Sequence, residues 1–129
     1  MIRNEFMEER RRFGNEGEEM AAVYLEQLGY DILARQYRTM VGEIDLIARD
    51  GSEIVFVEVK TRHGTRFGFP EESVTPAKLR KIQMGAEFFL EQKGWYHSPI
   101  RVDILAILLL SGHCTDIQHF KGIDVSSLI

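Results

Sequence analysis

The stretch from Gly42 to Arg62, GEIDLIARDGSEIVFVEVKTR, constrains the fold more than any other part of the chain. Two apolar runs with the alternation of strands flank an Asp-Gly pair, and this pattern predicts two antiparallel strands joined by a tight turn. Four charged residues, Glu43, Asp45, Glu58 and Lys60, interrupt the runs. Charges in a half-buried sheet lose hydration, so each one needs a partner, a metal ion or exposure to solvent.

The turn leaves two strand registers open. If Asp50 and Gly51 are the central turn residues, Glu43 faces Glu58 and Asp45 faces Phe56. A four-residue loop from Asp50 to Glu53 would instead pair Asp45 with Glu58. In either register the four charges are expected on one face, because side chains alternate along a strand. The opposite face is then an apolar core of Ile44, Leu46, Ala48, Val55, Val57 and Val59.

This face admits a chemical and a plainer interpretation. Two neighbouring carboxylates repel each other unless a proton or a cation intervenes, and carboxylate oxygens suit Mg²⁺ or Mn²⁺. Lys60 could then orient a water or stabilise charge on a phosphate. In the plainer interpretation Glu58 and Lys60 form an exposed ion pair, and Asp45 lies near a solvent edge. The residue pattern alone leaves both open.

The rest of the chain completes a single α/β domain. The pattern GEEMAAVYLEQLGY predicts a helix from Gly17 that ends at Gly29, and a short strand follows it. Thr75 and Pro76 are a typical helix start, and that helix is expected to reach Gly94 after a loop over residues 63–75. A buried strand, PIRVDILAILLL, and an edge strand, HCTDIQHF, come last. The predicted order is αβββαββ.

Domain boundaries and charge narrow the function classes. Residues 1–13, with Arg10, Arg11 and Arg12, are expected to be a frayed terminus, a short helix or a basic arm, and residues 14–129 one domain. One cysteine, Cys114, permits no internal disulfide and is expected to be a passive core or edge residue. The longest apolar run is too short for a bilayer and no secretory signal is present, so we expect a cytoplasmic protein without membrane insertion.

The net charge of −4 works against nonspecific attraction to nucleic acid. However, six basic residues and two acidic ones lie between Lys60 and Lys81, so a local basic patch stays open.

Several blocks together resemble a known family. GEEMAAVYLEQLGYDIL, GEIDLIA, IVFVEVKTR, FGFPEESV and Lys78 resemble, in order and spacing, the bacterial YraN family of uncharacterised proteins. That family is similar to Holliday junction resolvases within the restriction-endonuclease-like PD-(D/E)XK nuclease superfamily. The resemblance covers residues 14–103. It implies a restriction-endonuclease-like core, with a central mixed sheet flanked by helices.

The resemblance also implies a site. Asp45 matches the first metal-binding aspartate, although Ile44 stands where the superfamily name has proline; Glu58 and Lys60 match the second motif. Glu18 matches an acidic residue on the first helix that approaches the metal. The implied function is a Mg²⁺- or Mn²⁺-dependent endonuclease acting on DNA rather than RNA, with branched or single-stranded DNA as candidate substrates. The alternative is a non-catalytic module of the same fold that binds nucleic acid or docks a protein partner.

Other residues carry weaker expectations. Arg62, Arg66 and Lys78 are assigned to phosphate contact, with ordinary solvated side chains as the competing interpretation. Glu43 has no assigned role. Arg101 and Asp103 are expected to form a structural ion pair. Homodimer formation through the last strand is left open.

The remaining polar and aromatic residues are expected to be structural. Trp95 and Tyr96 could stack on a base, but because they follow a helix they are expected to cover the core. The histidines show no metal-ligand spacing and are expected to be exposed or internally hydrogen-bonded; they are His63, His97, His113 and His119.

Overall fold

A computed structural model describes residues 5–63, 74–111 and 113–123; the side chains of residues 5–15, 114 and 115 are outside this description. The elements, in chain order, are α1 (Glu5–Gln27), β1 (Asp31–Thr39), β2 (Gly42–Asp50), β3 (Glu53–His63), α2 (Pro76–Lys93), β4 (Ile100–Leu110) and β5 (His113–Phe120). The predicted order αβββαββ is confirmed. Arg66, most of the predicted loop and the Cys114 side chain lie outside the described residues, as do the side chains of Arg10, Arg11 and Arg12.

The five strands form one mixed sheet in the order β1-β2-β3-β4-β5. Only β3 and β4 run parallel, and α2 makes the crossover that a parallel pair requires. α1 packs on one face and α2 on the other. β5 is an edge strand, as predicted. This α/β architecture is consistent with a restriction-endonuclease-like core.

Both faces of the β2–β3 hairpin are apolar cores, so the prediction of one charged and one apolar face is wrong. Leu46, Ala48, Val55 and Val57 pack under α1. Ile47, Ile54 and Phe56, with Ile44, pack under α2. Central strands with helices on both sides must be apolar on both sides, so charged side chains are confined to the two ends of the hairpin, and Glu43, Asp45, Glu58 and Lys60 lie at the end away from the turn.

The hairpin turn differs by one residue from the first predicted register. Asp50 pairs with Glu53, so Gly51 and Ser52 are the central residues. Gly51 has φ +61° at the first central position, which type II′ turns reserve for glycine. The last pair is Leu46 with Val57, and the same register continued by one residue would place Asp45 opposite Glu58. This is the second predicted register, although the connection has two residues rather than four.

The two helices show how local sequence sets their ends and positions. Thr75 caps α2 as predicted, since its Oγ1 accepts a 3.2 Å hydrogen bond from the Lys78 amide. α1 begins at Glu5, well before Gly17. Gly17 instead provides a close approach, because a Cβ there would lie 2.1 Å from Thr61 Oγ1 on β3. Within the described residues, neither helix is long and apolar enough to cross a bilayer.

The chain after α2 corrects one aromatic prediction. Gly94 caps the helix with φ +70°, and Trp95 packs 5.9 Å from Phe89, over the α2 core. Tyr96 is 65% exposed, so it does not cover the core as predicted. Its hydroxyl lies 3.5 Å from the Glu91 carbonyl, which keeps the ring on the outer side of the turn.

Candidate metal centre

Asp45 lies where the β2–β3 ladder ends. The pairs run from Asp50–Glu53 to Leu46–Val57, and alternation in β2 breaks beside Asp45, since Ile44 packs under α2 and Leu46 under α1. The Asp45 carboxylate accepts a 2.8 Å hydrogen bond from the Val59 amide. The side chain thus satisfies a backbone donor, which fixes the orientation of the carboxylate.

Three carboxylates meet at this end of the sheet. One oxygen from each of Glu18, Glu43 and Asp45 lies within 4.8 Å of the other two. Gln36 holds Glu18 through a 3.0 Å hydrogen bond from its side-chain amide and has the unusual φ of +49°. Arg38 donates to Glu43 at 3.2 Å, but the arginine side chain is 79% exposed.

Glu58 adds a fourth carboxylate, which is 3% exposed. Its Oε1 lies 3.6 Å from Lys60 Nζ and 3.7 Å from Lys78 Nζ. Its Oε2 is buried and has no hydrogen-bond partner among the described residues. The Asp45 and Glu58 carboxyl groups lie near enough for the charge of Asp45 to raise the pKa of Glu58. A buried carboxylate oxygen without a donor is costly, so this position favours a proton or a cation.

The pKa values reflect the crowding of acids. Burial and the neighbouring Asp45 charge raise the pKa of Glu58 to about 7, although Lys78 and Lys60 oppose the increase. Burial also raises the pKa of Asp45, against the stabilising hydrogen bond from Val59. Burial, Asp45 and Glu43 raise the pKa of Glu18, while its hydrogen bond from Gln36 lowers it. Ionisation of Glu58, Asp45 and Glu18 thus costs energy in the metal-free protein.

The residues present fit a divalent cation of the magnesium type. Four carboxylates outnumber the nearby cations of the described residues, which are Lys60, Lys78 and the largely exposed Arg38, so the cluster is net negative when all groups are ionised and favours a cation. Mg²⁺ binds oxygens at about 2.1 Å in an octahedron, so opposite ligands lie roughly 4.2 Å apart. Adjacent ligands of the same octahedron lie roughly 3.0 Å apart. The oxygens of Glu18, Glu43 and Asp45 lie within 4.8 Å of one another, so a modest closure would let them surround one ion.

The structure brings together most of the site residues predicted from sequence. Asp45, Glu58, Lys60 and Glu18 converge at one end of the sheet. Lys78, assigned to phosphate contact, lies as close to Glu58 as Lys60 does. Arg62 lies at the end of β3 and its guanidinium is 3.4 Å from the Thr61 carbonyl.

Glu43 was expected on the same face as Asp45, but the sequence interpretation assigned it no role. The structure places it with Glu18 and Asp45 as a third candidate ligand. The sequence offered no measure of how closely Glu18 on α1 would approach Glu43 and Asp45.

A second polar cluster lies at the opposite end of the β2–β3 hairpin. The predicted ion pair is confirmed, because Arg101 Nε donates to Asp103 Oδ1 at 3.0 Å. Asp103 is fully buried, and its Oδ2 also forms a 2.7 Å hydrogen bond with His119 Nε2. His119 is therefore internally hydrogen-bonded, as expected, and the other three histidines are exposed.

Sequence comparisons place the chain among proteins that share most of its length. The model of the family described as "Uncharacterised protein family UPF0102" matches residues 17–107. The UPF0102 protein of Caldicellulosiruptor saccharolyticus is 41% identical over 88% of this chain and 97% of its own length. UPF0102 proteins of Geobacter sulfurreducens and Geotalea daltonii are 45% and 42% identical, over 84% and 93% of this chain and 85% and 94% of their own lengths. The chain therefore belongs to the uncharacterised protein family UPF0102.

Proposed function

We propose that the chain is a cytoplasmic, metal-dependent endonuclease that hydrolyses phosphodiester bonds in DNA. One observation supports this most strongly: the buried Glu58 carboxylate has an oxygen without a partner among the described residues, and it lies near Asp45 and two lysines beside the cluster of Glu18, Glu43 and Asp45. Acid clusters that balance a divalent cation beside lysines suit phosphoryl chemistry, because the substrate and its transition state are both anionic.

Asp45 and Glu58 would hold the cation, with Glu18 and Glu43 completing its ligands on the α1 side. When bound, Mg²⁺ or Mn²⁺ polarises a phosphoryl oxygen and lowers the pKa of a coordinated water. Lys60 and Lys78 place two ammonium groups beside the same carboxylate oxygen. These groups can donate hydrogen bonds to the attacking water or to the phosphate oxygens, where negative charge increases in the transition state.

The supporting residues keep this arrangement in place. The Val59 amide holds the Asp45 carboxylate, and Gln36 holds Glu18. A polar cleft of about 250 Å³, lined by Glu18, Glu19, Arg35 and Gln36, opens beside the acids. Solvent and a substrate phosphate therefore have an approach to the site.

The test is a cleavage assay with single-stranded, duplex and four-way junction DNA, and matched RNA, in Mg²⁺ or Mn²⁺. We expect cleavage of DNA in a metal-dependent manner. Asp45→Asn keeps an acceptor for Val59 but removes the charge, so its cleavage rate should fall on the order of a hundredfold or more. The matched control is Asp31→Asn, an exposed aspartate at the start of β1.

Two results would contradict the proposal: no cleavage by the wild type on any substrate, or undiminished cleavage by Asp45→Asn. Salt-sensitive DNA binding without cleavage would favour the non-catalytic module instead.

A further inference from the structure

The turn between β1 and β2 presents a bare apolar side chain. Thr39 pairs with Gly42, which leaves Met40 and Val41 as the connecting residues. Met40 is 98% exposed, whereas the next most exposed large hydrophobic side chain in the described part of the chain, Tyr96, is 65% exposed. Nothing in the core requires a methionine at this position.

This turn is braced by hydrogen bonds and by α2. Thr39 Oγ1 accepts from the Val41 amide at 3.2 Å and donates to the Gly42 carbonyl at 2.9 Å. Gly42 has φ +150°, a backbone conformation that residues other than glycine rarely adopt. At the base of the turn, a Cβ on Gly85 of α2 would lie only 3.0 Å from Ile44 Cδ1 and 3.8 Å from Thr39 Cγ2. α2 thus packs directly against the hairpin that carries Met40.

Two basic residues and one acid of the candidate metal centre lie close to the turn. Arg38, on β1, is 79% exposed and reaches Glu43. The aliphatic part of Lys81 lies within 3.9 Å of the position that a Cβ on Gly42 would occupy. Glu43, one of the clustered acids, follows Gly42 directly. The exposed apolar tip therefore has one basic residue two positions before it, a second packed against its turn, and a candidate metal ligand three positions after it.

We propose that Met40 is an apolar wedge that enters the base stack of DNA next to the phosphate bound at the metal centre. Arg38 and Lys81 contact the backbone phosphates on either side of the wedge. Methionine is among the apolar side chains that proteins insert between base steps, and flanking basic residues supply the phosphate contacts. The inference rests on the proposed function, because it takes the acid cluster to be the site of phosphodiester hydrolysis.

The wedge favours a particular class of substrate. Separating two stacked bases costs a few kcal/mol in intact duplex and less where stacking is already interrupted. A single methionine recovers part of that cost at most, so branch points, nicks and mismatches are favoured over continuous duplex. Fully single-stranded DNA has little stacking to break and should not depend on Met40.

The experiment uses the full chain with four-way junction, nicked and intact duplex DNA that carry 2-aminopurine beside the interruption, in Ca²⁺ with a gel to verify that the DNA is uncut. 2-Aminopurine fluoresces more strongly when it is unstacked. The wild type should increase fluorescence on junction and nicked DNA. Met40→Ala should lose most of the increase, Met40→Leu should retain it, and Met84→Ala, an exposed methionine on α2, should match the wild type.

Cleavage in Mg²⁺ gives the second measurement. Met40→Ala should cut junction and nicked DNA roughly tenfold more slowly than the wild type, in line with the loss of one stacking contact, and single-stranded DNA at an unchanged rate. Equal fluorescence for Met40→Ala and wild type would overturn the wedge even if the protein is a nuclease. A Met40-dependent signal without any cleavage would keep the wedge and overturn the proposed function.

Discussion

At the scale of single residues, Glu58 shows how burial beside a second acid makes ionisation of a carboxyl group unfavourable. Its carboxylate is buried beside Asp45, and this raises its pKa to about 7. Two lysines touch one of its oxygens and leave the other without a donor among the described residues. The metal-free protein must therefore ionise this group at a cost, or keep it protonated near neutral pH.

The cost predicts a pH dependence of folding in the metal-free protein. Because the pKa of Glu58 is higher in the folded chain than the ordinary value of 4.5, the folded state binds the proton more tightly. The stabilisation of the folded state by this bound proton is fully present below pH 4.5 and is lost as the pH rises through about 7. The free energy of unfolding in EDTA should fall by up to about 3 kcal/mol from pH 5 to pH 8, at about 1.4 kcal/mol per pKa unit.

Urea denaturation at several pH values measures this dependence, and Glu58→Gln is the comparison, since the amide cannot titrate. The free energy of unfolding of Glu58→Gln should increase relative to that of the wild type as the pH rises. A wild type and variant with parallel pH profiles would show that Glu58 titrates normally.

Asp45 allows a complementary prediction about metal. Asp45→Asn keeps the hydrogen bond from Val59 and removes one of the crowded charges. In EDTA the variant should be more stable than the wild type by about 1 kcal/mol, against the usual direction of a point substitution.

Mg²⁺ should then raise the melting temperature of the wild type and leave that of Asp45→Asn unchanged, because a ligand that binds only the folded state stabilises it. Thermal unfolding with and without Mg²⁺ measures both effects, with Asp31→Asn expected to respond like the wild type. An equal shift in all three proteins would mean that Mg²⁺ acts elsewhere.

At the scale of elements, sequence patterns predicted what depends on neighbours along the chain. Alternation predicted the strands, the Asp-Gly pair predicted the turn, and Thr75 with Pro76 predicted the start of α2. The sequence did not decide the register, since an Asp-Gly pair can occupy both central positions of a turn or begin one residue before them. The contact between Lys78 and Glu58 was also missed, because it depends on how α2 crosses the sheet.

The contact between α1 and β3 is an element-level feature with a sharp test. Gly17→Ala would place a Cβ 2.1 Å from Thr61 Oγ1 and 3.3 Å from Thr61 Cβ. Because rotation of the hydroxyl leaves the Cβ contact in place, we expect α1 to move away from the sheet. We expect a loss of about 1–3 kcal/mol in the free energy of unfolding, as for other overpacked contacts. Because Glu18 is the next residue, the same shift should weaken Mg²⁺ binding.

Thr61→Ala removes the clashing hydroxyl, so the double variant should regain most of the lost stability. A double-mutant cycle by urea denaturation measures this coupling. Additive losses in the double variant would show that the two residues do not meet.

At the scale of the whole molecule, one arginine joins segments that are distant in sequence. Arg101 on β4 donates to Asp103 beside it, to Asp50 and Glu53 at the β2–β3 turn, and to Tyr30 after α1. His119 of β5 and the Gly122 amide complete the partners of Asp103. This cluster fixes the end of the sheet opposite the acid site, where α1, the hairpin and both C-terminal strands meet.

Removing the arginine should therefore destabilise the entire domain. Arg101→Met leaves the fully buried Asp103 without its cation, and breaking a buried pair in this way costs about 3–5 kcal/mol. Arg49→Met is the matched control, since Arg49 lies 5.0 Å over the Trp95 ring and that contact is worth about 0.5–1 kcal/mol. Urea denaturation at neutral pH should separate the two variants clearly, and equal losses would contradict a central role for Arg101.

The pH dependence of that loss identifies its cause. Burial opposes ionisation of Asp103, but hydrogen bonds from His119 and Arg101 outweigh it and hold its pKa below the ordinary value. The stabilisation is therefore present above the ordinary aspartate pKa of about 3.9 and is lost as the pH falls through the lowered value. Without Arg101 the aspartate should protonate at a higher pH, so the gap between wild type and Arg101→Met should narrow on acidification. A gap that stays constant down to the acid transition would mean that lost packing, rather than an unpaired carboxylate, destabilises the variant.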